Sequence, residues 1–257
     1  MITYYDIGLN LFTSSFPDPE KIISEAEAAG ICCILTGSEA AENEKVNDFV
    51  KTHAVYGTAG IHPHSADRAE EADLHRIGEI VSSNPKIVAV GECGLDYDRM
   101  YSSKENQLYY FKKLIALAEK LEKPLFLHQR DAEEDFLACF DGHEEICRRS
   151  VVHCYTGNRE MAEKLVGMGF YIGITGWICD ERRADDLREA VKYIPLERIL
   201  LETDAPYLTP RGIPGLKRMN VPQNIVYVAQ ALAHYMGVSA EEVISHAKAN
   251  TERIFGI

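Results

Sequence analysis

The sequence lacks the features of a membrane or secreted protein. Its 257 residues contain no uninterrupted apolar run of about 18 residues, which a membrane-spanning helix needs. The N-terminal residues Met1 to Asp6 enter a strand pattern directly, without a basic segment followed by an apolar stretch. The seven cysteines include no C-x-x-C pair. We therefore expect a cytoplasmic protein that needs neither a membrane nor a disulfide.

Basic residues are scarce. Forty acidic against 27 basic residues give a net charge of −13. This balance excludes a protein that coats nucleic acid by neutralising many phosphates. It does not exclude an enzyme that grips a few nucleotides, because a cluster of carboxylates and imidazoles can meet a phosphate through a divalent cation.

No Pro-, Gly- or Ser-rich linker, charge block or low-complexity segment divides the chain, so we expect a single domain over residues 1–257. Apolar patterns alternate between strands and helices. We predict helices that include 40–52, 103–121, 133–147, 158–168, 181–193 and 239–254. The predicted strands are 3–9, 31–37, 54–61, 86–92, 124–128, 150–153, 170–175 and 199–203.

Eight strands that alternate with helices form either a (β/α)8 barrel or a doubly wound sheet. A doubly wound nucleotide-binding sheet usually carries a glycine-rich turn after its first strand. This sequence has neither G-x-G-x-x-G nor a P-loop there. We therefore predict an α/β protein with a TIM (β/α)8 barrel fold.

Five predicted strands end in side chains that bind metals or transfer protons. The segments are Gly-Ile-His62-Pro-His64, Val-Gly-Glu92, Leu-Phe-Leu-His128, Val-Val-His153 and Leu-Leu-Glu202-Thr-Asp204. The successive gaps of 30, 36, 25 and 51 residues match βα units of roughly 30 residues, with one unit skipped. In a (β/α)8 barrel all these strand ends open onto one face. Scattered core histidines and surface acids are the alternative that this regular spacing makes improbable.

The firmest site prediction is a metal centre held by Glu92, His128 and His153. One carboxylate and two imidazoles suit Zn, Mn, Fe or a catalytic Mg that keeps bound waters. Asp204 is a fourth carboxylate, which would bind the metal or remove a proton from a bound water. Glu202 either supports Asp204 or is a buried structural acid.

His62 and His64 flank Pro63, whose rigid turn would direct both rings to the site. We expect one of them to protonate a leaving group or hold a phosphate; the alternative is a hydrogen-bonded loop histidine. Asp96 is either a carboxylate that orients a ligating histidine or a cap of the next turn.

Candidate substrate residues lie in the same predicted loops. Arg130, and Arg211 with Lys217 and Arg218, are candidates for phosphate contacts, since guanidinium groups fit phosphate oxygens. Tyr155, Trp177 and Tyr207 are candidates for stacking on bases. Loop cations are usually only solvated, and core packing competes with stacking for Trp177.

Five ordered motifs resemble the TatD family of metal-dependent deoxyribonucleases over nearly the whole chain. They are Gly60-Ile-His62-Pro-His64, Val90-Gly-Glu92-Cys-Gly-Leu-Asp96, His128-Gln-Arg130-Asp131, His153-Cys-Tyr-Thr-Gly157 and Leu201-Glu202-Thr-Asp204-Ala-Pro-Tyr207. The stretch from Tyr171 to Arg183 and the opening from Asp6 to Leu11 resemble its bacterial exonuclease branch.

This resemblance implies a barrel of the amidohydrolase kind with a divalent metal, usually Mg²⁺, with Mn²⁺ or Zn²⁺ as alternatives. It implies metal ligands at Glu92, His128, His153 and Asp204, with His62 and His64 near the substrate phosphate. Many family members carry His-x-His on the first strand, where this chain has Gly8-Leu9-Asn10. Asn10 offers only a carbonyl oxygen, so we expect either one ion or two.

The sequence and the resemblance together predict a monomeric 3′-5′ exonuclease. It would release 5′-mononucleotides from the 3′ ends of single-stranded DNA, and of RNA, with a metal-activated water as nucleophile. One alternative is an amidohydrolase-type enzyme acting on a small ester, amide or phosphoester, because fold alone does not choose the substrate. The other is a metal-poor barrel that acts as a binding or scaffold protein.

Overall fold

The computed structural model describes residues 2–257 and contains eight strands that follow one another in a single sheet in chain order. The pairs β3–β4, β4–β5, β5–β6 and β7–β8 are parallel. The strands are β1 (Tyr4–Leu9), β2 (Ile31–Leu35), β3 (Tyr56–Ala59), β4 (Ile87–Asp96), β5 (Leu125–Arg130), β6 (Val151–Val152), β7 (Tyr171–Ile174) and β8 (Ile199–Leu201). The predicted TIM-barrel fold is confirmed.

Helices separate most successive strands, and two follow the last one. They are α1 (Pro19–Ala28), α2 (Ala40–Thr52), α3 (Glu71–Ser83), α4 (Lys104–Lys120), α5 (Glu133–Ala138), α6 (Glu144–Cys147), α7 (Arg159–Met168), α8 (Asp185–Ala190), α9 (Ile225–Met236) and α10 (Ala240–Phe255). Ser103 begins α4 by accepting a hydrogen bond from Asn106 N, and Ser239 and Glu242 form a capping box at α10. None of the helices within residues 2–257 combines the length and apolar character needed to cross a membrane.

Two predicted helices are wrong in their extent. The helix predicted over 133–147 is divided into α5 and α6, because Gly142 adopts a φ of +82° and breaks the helical path. The helix predicted over 181–193 is limited to α8, followed by a 3₁₀ turn at Val191–Tyr193. Asp180 accounts for the late start, since its carboxylate binds Arg182 N and the Arg182 guanidinium ahead of the helix.

Strand β4 is longer than predicted. The prediction ended it at residue 92, whereas β4 continues to Asp96 and pairs with β5 from Cys93–Leu127 to Asp96–Arg130. The amide of Gln107 fixes this extension, since its Oε1 accepts Asp96 N–H and its Nε2 donates to Asp96 O. Asp96 therefore lies on a rigid strand instead of a loop.

Contacts within the chain divide it into two compact units. The single domain expected over residues 1–257 stays a prediction. One unit comprises Leu35–His153 and Met168–Phe170. Its core includes stacked and edge-packed aromatic rings from Phe111, Phe136, Phe140 and Phe170. We call it the metal unit, because the residues of the predicted metal centre other than Asp204 belong to it.

The other unit comprises the segment up to Ile34, Cys154–Gly167 and Tyr171–Ile257. We call it the Asp204 unit. In this unit an isolated parallel bridge joins Leu9, at the end of β1, to Ala205, in the segment that follows β8. Asn250 of α10 donates from Nδ2 to Leu196 O and Ile199 O, each at 2.8 Å, and so holds the start of β8.

Asp6 ties β1 to the segment after β8 in the Asp204 unit. Its fully buried carboxylate accepts hydrogen bonds from Thr203 N, at 2.8 Å, and from Thr203 Oγ1, at 2.5 Å. Burial raises the pKa of Asp6 to about 7, although the hydrogen bonds from Thr203 oppose that rise and the charge of Glu202 adds to it.

The raised pKa of Asp6 predicts a pH-dependent stability. An acid with a raised folded pKa stabilises the fold below its unfolded pKa, and this contribution is lost as the pH rises through the folded pKa. For a rise from 3.8 to about 7, the free energy of unfolding falls by about 4 kcal/mol between about pH 4 and pH 7. Asp6→Asn cannot ionise and removes this decline, as urea unfolding across that range would measure. Asp48→Asn, on the surface of α2, serves as the control. Equal pH profiles for wild type and Asp6→Asn would contradict the prediction.

Candidate metal centre

Glu92 lies in β4, and two glycines position it. Gly91 and Gly94 have φ of +143° and +141°, which side-chain-bearing residues rarely adopt. A Cβ on Gly91 would lie 2.2 Å from Phe126 O, and one on Gly94 would lie 1.9 Å from His128 O. Glycine at both positions therefore lets β4 approach β5 closely on either side of Glu92.

Three imidazoles surround one oxygen of Glu92. Oε1 lies 2.8 Å from Nε2 of His153, 3.1 Å from Nε2 of His62 and 3.2 Å from Nδ1 of His128. Glu92 is only 6% exposed, so these contacts replace most of its contact with water. The metal unit thus brings together the three predicted ligands Glu92, His128 and His153, and adds His62 to them.

The backbone fixes the tautomer of His62. His62 Nδ1 accepts a hydrogen bond from His64 N at 3.0 Å, and a backbone N–H can only donate. Nδ1 therefore carries no proton, and the neutral ring bears its proton on Nε2, which faces Glu92. Because a ligating nitrogen must offer a lone pair, this arrangement favours His62 as a hydrogen-bond donor, although its distances alone also fit a metal ligand.

Asp96 supports the opposite side of the cluster. Its Oδ2 lies 2.7 Å from Nε2 of His64 and 3.1 Å from Nε2 of His128. His128 therefore has a carboxylate at each ring nitrogen, Glu92 at Nδ1 and Asp96 at Nε2. A donor bond to Asp96 leaves Nδ1 for a metal, which is the usual carboxylate–histidine–metal relay. The contacts of Asp96 support both predicted roles, because Oδ2 faces the two histidines while Oδ1 accepts hydrogen bonds from Asp98 N and Arg99 N in the following turn.

The electrostatic surroundings give Glu92 and His62 different protonation states. Burial alone would raise the pKa of Glu92, but the charges of His62 and His153 and the hydrogen bonds from His128 and His153 outweigh it and hold that pKa well below its usual value. Burial lowers the pKa of His62 to about 4, against the opposing charge of Glu92. Glu92 is thus ionised and His62 neutral near pH 7.

Asp204 and Asn10 form a pair in the Asp204 unit. Asp204 follows β8 with a φ of +54°, a conformation that Asp tolerates better than most residues. Asn10 Nδ2 donates to Asp204 Oδ1 at 2.8 Å. Asn10, which directly follows β1, therefore orients this carboxylate through its NH₂ group.

Glu202 is fully buried in the same unit and accepts a hydrogen bond from Cys154 N. It fixes the backbone of the residue that follows His153 in the chain. Both roles predicted for Glu202, support of Asp204 and structural acid, stay predictions.

Comparison with known proteins identifies the family. A family model described as TatD related DNase matches residues 5–256. The chain belongs to this family.

Named TatD relatives cover the chain almost completely. A protein of Erwinia amylovora named 3′-5′ ssDNA/RNA exonuclease TatD is 40% identical over 98% of this chain and 100% of its own. One of Shigella flexneri with the same name is 38% identical over 98% and 99%. The crystal structure of a TatD homologue from Escherichia coli K12 matches with a TM-score of 0.88 at 26% identity, covering 99% of this chain and 98% of the other.

Within residues 2–257 of this TatD chain, the donor atoms of His62, Glu92 and His128 lie within 4.8 Å of one another, close enough to hold one divalent cation, and His153 adjoins this group at Glu92. Metal–ligand bonds of about 2.0–2.2 Å place neighbouring ligand atoms about 3 Å apart. His153 Nε2 and His128 Nδ1 lie at 2.8 Å and 3.2 Å from Glu92 Oε1. One carboxylate and two imidazoles at these separations suit Mg, Mn or Zn, and the donor set alone does not choose among them.

The predicted substrate residues of the TatD chain lie in different surroundings. Arg130 ends β5, and its Nε lies 3.0 Å from Asp98 Oδ2. Tyr207 is 55% exposed, whereas Tyr155 is 1% exposed and donates its hydroxyl to Asn158 O. The Tyr155 ring thus packs in the interior, and its placement gives no support to stacking on a base. Trp177 and Arg211 line one groove, described below.

Sequence reasoning missed two features of the site. The donor role of His62 depends on a backbone contact that no motif encodes. Asp180, which gathers arginines near Trp177, was not considered. The run Asp180-Glu-Arg182-Arg183 was the signal for it, because two acids followed by two arginines favour local salt bridges.

We expect substitutions in the cluster around Glu92 to weaken metal binding to different degrees. Glu92→Ala and His153→Ala remove a donor, so we expect no measurable Mn²⁺ binding by calorimetry. Asp96→Asn removes only the support of His128 and weakens Mn²⁺ affinity by about 10- to 100-fold. His143→Ala, whose ring pairs with Glu119 on a helix, is the matched control and keeps wild-type affinity. Unchanged affinity in Asp96→Asn would contradict the relay.

Proposed function

We propose that this protein is a metal-dependent 3′-5′ exonuclease that hydrolyses single-stranded DNA and RNA to 5′-mononucleotides. The observation that carries the proposal is the buried Glu92 with three imidazoles on one oxygen, in a chain of the TatD related DNase family. Relatives at 38–40% identity over nearly the full length are named for this activity. Phosphotriesterase- and lactonase-like structures share only 12–13% identity, and hence the fold alone.

Glu92, His128 and His153 would hold the divalent cation, most simply Mg²⁺, with Asp204 as a further ligand. When bound, the cation supplies Lewis acidity toward a phosphate oxygen and makes a water more acidic. Asp96 keeps His128 in the ligating tautomer, since it accepts the proton on the other ring nitrogen.

Asp204 would accept the proton of the attacking water. Asn10 supports this role, because its amide donates a hydrogen bond to Oδ1 of Asp204 and so orients that carboxylate. His62 would donate a hydrogen bond from Nε2 to the leaving 3′ oxygen while keeping its only ring proton, and that oxygen would take its proton from water. His64 would contact the phosphate beside it. Glu202 would support Asp204 from beneath, two residues earlier in the chain.

The proposed substrate is the unpaired 3′ end of a strand. An aromatic face stacks on any base, so exposed Tyr207 and neighbouring Trp177 would hold terminal nucleotides without sequence preference. Arg130 and Arg211 would meet phosphate oxygens through their guanidinium groups.

The proposal predicts direction and metal dependence. With Mg²⁺, a 3′-labelled single strand releases labelled mononucleotide at once, whereas a 5′-labelled strand shortens through a ladder. EDTA stops both reactions, and Glu92→Ala lowers turnover by at least about 10³-fold because the main charged ligand is gone. The control variant is again His143→Ala.

Two outcomes contradict the proposal. Cleavage of closed circular single strands as fast as linear ones identifies an endonuclease. Indifference to both EDTA and Glu92→Ala identifies a protein that does not use this site for catalysis, as the scaffold alternative requires.

A further inference from the structure

A second charged feature lies in the Asp204 unit, in the loops after β7 and β8. A groove of about 720 Å³ is lined by residues that include Trp177, Asp180, Arg183, Tyr207, Arg211 and Arg218. We call it the arginine groove. Its charged lining residues are Arg183, Arg211, Lys217 and Arg218 against Asp180 alone, a net charge of +3 in a chain of −13.

Asp180 organises the cations of the groove. Its carboxylate lies 2.7 Å from Arg182 NH2, 3.0 Å from Arg183 Nε and 3.3 Å from Arg211 Nε. The Asp180 side chain is 4% exposed, whereas those of Arg183 and Arg211 are 47% and 57% exposed. The negative charge is therefore covered, and the positive charges face solvent.

The arginines keep hydrogen-bonding capacity. Arg183 and Arg211 approach Asp180 through Nε, and within residues 2–257 their terminal NH1 and NH2 groups form no hydrogen bond. Terminal N–H groups of guanidinium are the donors that pair with phosphate oxygens. Because Asp180 contacts both arginines through Nε, the terminal NH1 and NH2 groups of Arg183 and Arg211 can pair with anions.

Aromatic rings accompany these cations. The Arg183 guanidinium lies 3.7 Å from the centroid of the Trp177 ring. The indole Nε1 of Trp177 is buried and has no hydrogen-bond partner within residues 2–257. Tyr207, three residues after Asp204, adds an exposed ring for stacking on a base.

We propose that the arginine groove is a second, non-catalytic subsite that binds phosphates of the single strand beyond the nucleotide being cleaved, with Asp180 as its positioning residue. In barrels of this class the loops after strands 7 and 8 frequently bind phosphate. Because Tyr207 of the groove lies only three residues after Asp204, a strand with its end at Asp204 would continue into the groove. This inference rests on the proposed function, because the 3′-5′ direction of cleavage decides which part of the strand would lie in the groove.

The single tryptophan supplies a direct test, because the one Trp of the chain lines the groove. A short single-stranded DNA added in EDTA, without cleavage, should quench the intrinsic fluorescence and give an affinity that falls with salt. Arg183→Ala with Arg211→Ala should lower the slope of log affinity against log salt by about 1.4, or about 0.7 for each lost phosphate contact. Arg183→Lys with Arg211→Lys keeps the charge, so the slope persists while affinity falls.

Arg159→Ala is the matched control, since Arg159 likewise lies over an aromatic ring, that of Tyr193, at 3.4 Å. It should leave the slope unchanged. Under cleavage conditions, the single variant Arg183→Ala should show a higher KM for long strands with an unchanged kcat, and should cleave dinucleotides at the wild-type rate.

The outcomes separate the two proposals. An unchanged salt slope in the double alanine variant overturns the groove, whatever the cleavage activity. Displacement of the strand by an acidic peptide of equal charge, at equal concentration, also overturns it, because a site without preference for nucleotides would bind either. A wild-type protein that binds with the expected slope but never cleaves contradicts the exonuclease proposal and supports the groove.

Discussion

The arrangement of the metal unit depends on the buried charge of Glu92. An ionised carboxylate removed from water is costly unless charged or polar groups replace its hydration. His62, His128 and His153 provide that replacement on a single oxygen. The same contacts place imidazole nitrogens about 3 Å from a carboxylate oxygen, which is the spacing of neighbouring ligand atoms around a small divalent cation. Stabilising the buried acid and preparing a metal site are therefore one structural solution.

The buried position of Glu92 constrains the backbone of β4 around it. The part of β4 that carries Glu92 can pair closely with β5 only because Gly91 and Gly94 have no Cβ to meet Phe126 and His128. The extension of β4 to Asp96 then follows from the pairing with β5, and it carries the second carboxylate to the far nitrogen of His128. Strand pairing thus sets the distance between the two acids, and His128 occupies the space between them.

The sequence predicted the strand order and the ends of most strands, because apolar runs bounded by polar side chains are a local property. It predicted that Glu92, His128 and His153 meet, because strand ends share a face in a barrel. It did not predict the break at Gly142 or the extent of β4, since both depend on contacts with distant segments. It also left the role of His62 open, because the tautomer is decided by the backbone N–H of His64.

Charge explains how an acidic protein would act on a polyanion. A net charge of −13 opposes nonspecific association with nucleic acid, so attraction must be confined to small regions where acids are covered or neutralised. Asp180 is covered by three arginines, and Glu92 by three imidazoles. Each region uses a buried carboxylate to collect cationic or metal-binding groups, and each leaves those groups facing a ligand. A strand would then bind where phosphates meet these groups and be repelled elsewhere, which favours the capture of a single end over coating along the chain.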